Sequence, residues 1–349
     1  MEDLSGRDLV VVAASAGGVE ALRTLLGEIP AGLRAAVLVV LHISPRSGSA
    51  LAGILDRAGP LKAASAEHGE ILEHGRVYVA PPDHHLLVGG EQVALSRGPR
   101  HHGHRPAADP LFLSAALAGG PRTLGVVLSG TLDDGARGCA TVERLGGAVA
   151  VQDPDHSAFD GMPRAALAVT RRPYVGSVKA IARWIARESV TPVEAEAATA
   201  DAETEREVSL FLSATQPDPG PDGRLSVFTC PDCNGPLFEA DDRGRPRYAC
   251  LVGHAWSIES MVDGQSEAVE RAFWVAILRL EERIRIMDRM VVSTEGKGQL
   301  NSARRLRERA RQDKDALRTL RELQMKIKSV DGGLSSGHDE ASRGHGHRG

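Results

Sequence analysis

Short apolar runs without polar alternation recur along the first half of the chain. Turn residues follow each run, and then come stretches whose apolar positions return every three or four residues. The first run is Leu9-Val10-Val11-Val12-Ala13, and Val19 to Leu26 behind it carries helical spacing. The same alternation predicts strands at Ala36–Leu41, Arg76–Ala80, Leu124–Leu128 and Ala148–Val151, with helices at Ser49–Arg57, Pro110–Ala118, Ala136–Leu145 and Val178–Arg187. A strand with no polar face must be covered on both sides, so residues 1–187 predict an α/β domain with a doubly wound, mostly parallel, Rossmann-like sheet. Leu86 to Leu95 reads as a β-hairpin turning at Gly89-Gly90, where positive φ is tolerated.

The pattern then changes. Residues 188–226 are rich in Ala, Glu, Asp, Pro and Thr and end in a Pro/Asp/Gly run, which predicts a linker. A compact Cys/His segment follows at 227–260. Over 261–330 two long helical patterns are broken at Gly296-Lys297-Gly298 and predict a helical hairpin or coiled-coil arm. One stripe runs Val269, Phe273, Ala276, Leu280, Met287; the other runs Leu300, Ala303, Leu306, Ala310, Leu317, Leu320. The Gly/His-rich end, 331–349, predicts disorder.

Composition narrows this picture. The chain has 349 residues, 42% apolar but 3% aromatic, so its core must be built from Ala, Val, Leu and Ile. A net charge of −4 gives no global reason for nucleic-acid binding, and no apolar run is long enough for direct membrane insertion. The first residues do not resemble a signal peptide, which points to the cytoplasm. The Arg-rich stretch Arg304 to Arg311 is interleaved with Glu308 and lacks aromatics, so it reads as a solvated helix face rather than a nucleic-acid arm.

Three polar residues follow predicted strands directly. Ser15 follows the first and precedes Ala16-Gly17-Gly18, a turn whose open N–H groups could hold an oxyanion, cap a helix or bind phosphate. His42 follows the second, in Leu41-His42-Ile43. Asp134 lies beyond Leu128-Ser129-Gly130-Thr131-Leu132-Asp133 and could equally be a helix N-cap. Active groups in open α/β sheets gather at strand carboxyl ends, and all three belong there. A serine hydroxyl needs an imidazole to take its proton, and the imidazole needs a carboxylate to fix its tautomer. The order Ser, His, Asp differs from that of the α/β-hydrolases, and Ala13-Ala14-Ser15-Ala16-Gly17 stands where their Gly-x-Ser-x-Gly elbow would be.

From Val10 to about Ala168 the chain resembles the catalytic domain of the chemotaxis protein-glutamate methylesterases, the CheB family. The resemblance rests on Ala14-Ser15-Ala16-Gly17-Gly18, Leu41-His42, Val77 through Leu86, His104-Arg105-Pro106-Ala107-Ala108-Asp109, Leu128-Ser129-Gly130 with Asp134-Gly135, and Gly161-Met162-Pro163-Arg164. It implies hydrolysis of glutamate γ-methyl esters on the cytoplasmic helices of methylated chemoreceptors, releasing methanol, and sometimes deamidation of receptor glutamines. Ser15 would be the nucleophile, His42 the base and then acid, and Asp134 the orienting carboxylate. Ala16, Thr131 and Leu132 are oxyanion candidates, and Arg105, Asp109 and Met162 substrate-proximal candidates. Catalysis would need no cofactor. Such a protein would work in the cytoplasm, with recruitment to membrane receptor arrays.

The chain departs from the family in two ways. Gly130-Thr131-Leu132 replaces the usual Gly-Met-Gly, and the chain starts almost at the catalytic strand, without the receiver domain common in that pathway. Regulation is therefore expected from a partner protein, or from self-association through the C-terminal helices.

Cys230-Pro231-Asp232-Cys233, then Cys250 and His254, have the spacing of a zinc ribbon, and four protein ligands make a structural metal site. This resembles the short extension on some members of the family. Arg100-His101-His102-Gly103-His104 reads as a solvated basic loop near the substrate, not a metal site, since no carboxylate or cysteine is near in sequence. Cys139 reads as a small buried apolar residue. The competing functional class is a non-catalytic chemosensory scaffold that binds partners.

Overall fold

The computed structural model describes residues 6–43, 50–193, 202–213, 223–242 and 244–336. In chain order the first elements are β1 (Leu9–Ala14), α1 (Gly18–Glu28), β2 (Ala36–Leu41), α2 (Ala50–Asp56), β3 (Lys62–Ser65) and β4 (Arg76–Val79). A hairpin, β5 (His85–Gly89) and β6 (Gln92–Ser96), precedes α3 (Ala108–Gly119), β7 (Thr123–Val127), α4 (Ala136–Arg144) and β8 (Ala148–Gln152). Next come α5 (Gly161–Leu167), β9 (Tyr174–Gly176), α6 (Val178–Glu188) and α7 (Ala202–Ser213). The C-terminal part holds β10 (Arg224–Thr229), β11 (Pro236–Asp242), β12 (Arg245–Cys250), β13 (Ala255–Trp256), α8 (Ile258–Gly296) and α9 (Leu300–Ser336).

The main sheet is seven-stranded in the order β3-β4-β2-β1-β7-β8-β9, and every pairing in it is parallel. All six residues of β1 are buried, which is why the run shows no polar alternation. Val10, Val12 and Ala14 face one layer, packed with Leu22, Leu25 and Leu26 of α1 and Ile181, Trp184 and Ile185 of α6. Val11 and Ala13 face the other, with Leu111 and Phe112 of α3, Val142 of α4 and Met162 and Ala166 of α5. Each such aliphatic burial stabilises the fold by about 1.5–3 kcal/mol relative to exposure. The chain is thus a doubly wound α/β protein. Connections leave β1 toward β2 on one side and β7 on the other, so the carboxyl ends of β1 and β7 border the switch-point crevice.

Two short edge strands, β3 and β9, carry little apolar content and give no run for a sequence reading to find. The stretch 188–226, expected as a linker, contains α7. Val208 and Phe211 of that helix are buried, Phe211 beside Leu87 and Ala94 of the hairpin. Its Glu and Thr content reads as solvated until the burial of those two apolar residues is known. The last residues of the expected tail, 337–349, lie outside the described residues.

The chain divides into two compact units, Met1–Gly264 and Gln265–Gly349. The first takes in the small antiparallel sheet β10-β11-β12-β13 with the α/β layers. The second is the helical hairpin. Ile277, Ile284, Met287 and Val291 are buried on α8, and Ala303 and Ala310 on α9. Arg283 bonds Asp313, and Lys314 reaches Asp288 at 3.3 Å, fixing an antiparallel register. Val269 and Leu300, placed on the predicted stripes, are exposed.

Candidate active site

Ser15 leaves β1 at the switch point. Its N–H donates to the carbonyl of Ser129 at 3.0 Å, and the N–H of Gly18 returns to the Ser15 carbonyl at 2.9 Å, closing a tight turn into α1. Gly17 in that turn has φ of 71°, and a Cβ there would lie 2.9 Å from Ser129 Oγ, so glycine is required twice over. Gly130 is equally constrained: a Cβ would meet Met162 Sδ at 2.1 Å and Ser15 Cβ at 3.0 Å. Met162, one of the substrate-proximal candidates, is therefore a buried wall beside Ser15.

His42 leaves β2 one strand away, its N–H bonded to the Ala14 carbonyl at 3.1 Å. Asp134 lies beyond β7, and its Oδ2 is 2.6 Å from His42 Nε2. The same carboxylate caps α3, accepting from the N–H of Ala108 at 2.6 Å and of Asp109 at 3.0 Å. Burial works to raise the Asp134 pKa. The hydrogen bond and charge of His42, the charge of His102 and the Ala108 N–H outweigh it and hold the carboxyl below its usual range. The strand ends thus bring the Ser, His and Asp into one crevice. His42 Nε2 donates to Asp134, leaving Nδ1 as the acceptor nitrogen; among the described residues no hydrogen bond joins Ser15 Oγ to it.

Among the described residues the N–H groups of Ala16, Thr131 and Leu132 donate to no protein acceptor. Leu132 sits at φ of 62°, so the Thr131-Leu132 turn is tight despite lacking the family's glycine. Arg105 and Asp109, the other two substrate-proximal candidates, both make contacts within the fold. Arg105 donates to Asp83 Oδ1 at 2.7 and 3.0 Å and to the Gly98 carbonyl at 2.7 Å, tying the hairpin's base. Its guanidinium offsets the burial of Asp83 and, with Arg97, pulls that carboxyl down to about 2. Asp109 is buried and accepts from the Gly138 N–H at 2.8 Å, joining α3 to α4.

The His101–His104 loop is not solvated. His101 is buried, and the His104 ring stacks on His42 with centroids 4.0 Å apart and planes 14° from parallel. Burial and the neighbouring charge of His42 push His104 down to about 3, so it is a neutral ring. The carboxylates missing from the local sequence arrive through the fold. His102 Nε2 is 3.2 Å from Asp109 Oδ2, and Asp133 and Asp134 are close enough to act on it electrostatically. Burial opposes its charge, but these acids raise His102 to about 9, so it is an imidazolium among carboxylates. Sequence reasoning missed His104 as a neighbour of His42. The signal was that His104 opens the family motif His104-Arg105-Pro106-Ala107-Ala108-Asp109 while also ending the stretch read as a solvated loop.

In the ribbon, the donor atoms of Cys230, Cys233, Cys250 and His254 all lie within 4.8 Å of one another. Cys233 Sγ and Cys250 Sγ are 3.6 Å apart, and His254 Nδ1 is 3.5 and 3.6 Å from the Cys250 and Cys230 sulfurs. A disulfide needs about 2.05 Å, and the edges of a tetrahedral zinc site are roughly 3.7 Å, so the spacing fits a metal. Cys139 is buried on the core face of α4, where burial pushes its thiol pKa up.

The family model described as CheB methylesterase matches residues 10–185. A protein-glutamate methylesterase/protein-glutamine glutaminase of Pyrococcus abyssi is 38% identical over 185 residues, covering 52% of this chain and 50% of that one. The chain therefore spans about half the length of that relative. A putative enzyme of the same description from Leptospira interrogans is 35% identical over 181 residues, covering 52% of this chain and 94% of its own. Among solved structures, the Thermotoga maritima CheB methylesterase catalytic domain matches with a TM-score of 0.50 and 30% identity, over 52% of this chain and 97% of that one. The matched segment contains the whole Ser15, His42 and Asp134 crevice, and the chain belongs to the CheB methylesterase family.

Proposed function

We propose that this protein hydrolyses glutamate γ-methyl esters on methylated chemoreceptor helices, yielding glutamate and methanol. The observation that carries the reading is the 2.6 Å bond from His42 to a buried, ionised Asp134 at the same sheet edge as Ser15. Ser15 Oγ attacks the ester carbonyl as His42 Nδ1 takes its proton, and Asp134 stabilises the imidazolium. The N–H groups of Ala16, Thr131 and Leu132 face the developing oxyanion. His42 then protonates the leaving methoxide, and methanol departs from a Ser15 acyl ester. Water, deprotonated by His42, cleaves that ester and restores Ser15. The same acyl chemistry accepts a glutamine side chain with ammonia as leaving group, in keeping with the second activity in the relatives' names.

Cys230, Cys233, Cys250 and His254 would hold a structural zinc, which ties the ribbon's strands together and takes no part in the ester chemistry. The protein acts in the cytoplasm at receptor arrays, and its helical hairpin serves self-association or a regulatory partner. None of the described helices is long and apolar enough to cross a membrane. Purified full chain should release methanol from methylated receptor fragments. Ser15→Ala should lower turnover on the order of 10⁶-fold while melting as the wild type does; equal release by the two proteins would remove Ser15 as nucleophile, and no release by folded wild type would leave the scaffold reading in its place.

A further inference from the structure

The ribbon does not hang from the α/β layers. Its β13 pairs with the histidine loop: the His102 N–H donates to the Ala255 carbonyl at 2.9 Å, and the Ala255 N–H to the Arg100 carbonyl at 3.3 Å. A side chain at Gly103 would meet the Trp256 ring at 3.3 Å, so the loop lies flat against that indole. Arg100 reaches Asp232, between the first two cysteines, at 3.6 Å. From the other side Arg137 of α4 bonds Asp242 at 2.6 Å and also Glu207, which in turn accepts from Arg247 at 2.7 Å.

The side chains close a ring around His102. Its Nδ1 donates to Ser260 Oγ at 3.0 Å, and its Nε2 to Asp109 Oδ2 at 3.2 Å. Ser260 Oγ is 2.8 Å from Ser257 Oγ, which donates to Asp133 Oδ1 at 2.9 Å. Asp133 precedes Asp134, and His102 is two residues from the ring stacked on His42. A cavity of about 320 Å³ lies between the ribbon and α4, with His102, Asp109 and Asp133 on its wall. The carboxylate next to Asp134 is therefore held by Ser257, and the loop that carries the stacked ring is held two residues earlier, at His102, by Ala255 and Ser260.

We propose that the ribbon is a positioning element for the active site: through Ala255, Ser257 and Ser260 it fixes the loop that stacks His104 on His42. Ser260 and Ser257 are positioning residues, acting through His102 and Asp133. The inference deepens the esterase reading and rests on it for its effect on turnover, but the placement of His42 can be read separately.

The test uses the full, zinc-loaded chain as wild type, Ser260→Ala and Ser260→Thr. Turnover on methylated receptor fragments is measured beside the Cε1–H resonance of His42 in ¹³C-histidine-labelled protein, assigned by loss in His42→Gln. Ser260→Ala should lower kcat about tenfold with KM within about twofold. It should also move the His42 resonance while that of exposed His74 stays in place, and Ser260→Thr should restore both. An unmoved His42 resonance in folded Ser260→Ala overturns the proposal whatever the turnover. Should that variant not fold, Ser257→Ala cuts the ring at Asp133 and is read by the same resonance. A wild type releasing no methanol would defeat the esterase reading, and the resonance would still decide the coupling.

Discussion

The switch-point crevice and the histidine loop reach the same imidazole from two sides, by different means. Ser15, His42 and Asp134 are each delivered within seven residues of a buried parallel strand, so their convergence follows from strand order alone. His102 and His104 sit on a loop between β6 and α3, and His102 is held by backbone and a serine hydroxyl from more than 150 residues later in the chain, Ala255 and Ser260. One side is placed by the sheet; the other depends on a separate small fold.

Asp134→Asn acts on the sheet-built side, where only the loss of the Ser15 hydroxyl should cost more. The amide oxygen can still cap α3, but the carboxamide offers His42 no negative charge and can favour the wrong tautomer. Turnover should fall about 10⁴-fold with little change in melting temperature. A loss below tenfold would mean that the carboxylate serves the helix N-terminus rather than the imidazole, and would break the comparison at its better-understood end.

Removing a ligand of the proposed zinc tests the other side. Cys250→Ser deletes one of the four donors, and metal analysis should fall from one zinc per chain toward none. Among the described residues the ribbon's hydrophobic cluster is Cys230, Leu237, Tyr248, Cys250, Trp256 and Met261, a core small enough to need a staple. Melting should drop by several degrees, in a transition separable from that of the α/β layers. Full metal content or an unchanged melt in the variant would count against the site.

The two regions also differ in how much the sequence discloses. Apolar runs such as Leu9 to Ala13 announce both the strands and the positions just after them, so the fold and the Ser/His/Asp set are legible from local pattern. Arg105 and Asp109 were nameable as motif residues but not as the partners of Asp83 and Gly138, because those contacts cross between elements. The solvated reading of residues 100–104 failed for the same reason. Five polar or glycine residues in a row look exposed until a second module covers them. Helix α7 was hidden by its acidic composition, though its Glu207 is buried between Arg137 and Arg247, whose charges outweigh that burial and bring it to about 2.

The smallest expected effect distinguishes the two regions by pH. His102 is raised from an ordinary value near 6.5 to about 9 by Asp109, Asp134 and Asp133, against the opposing cost of burial. A histidine whose folded pKa is raised contributes stability that is complete below its unfolded pKa and lost as pH rises through the folded one. The melting temperature should therefore decline between about pH 6.5 and 9 more steeply in wild type than in His102→Gln, the variant being less stable at pH 6 and closer to wild type above pH 9. The sheet-built carboxylate has the opposite sign. Asp134, held below its usual range, contributes above the ordinary carboxylate pKa and loses its share only in acid; because its charge also helps raise His102, Asp134→Asn should shrink the alkaline decline but not abolish it, Asp109 and Asp133 remaining. Parallel pH profiles for wild type and His102→Gln would show that the charge among the three acids is not carried by His102, leaving the loop to its backbone pairing with Ala255 and its uncharged contacts.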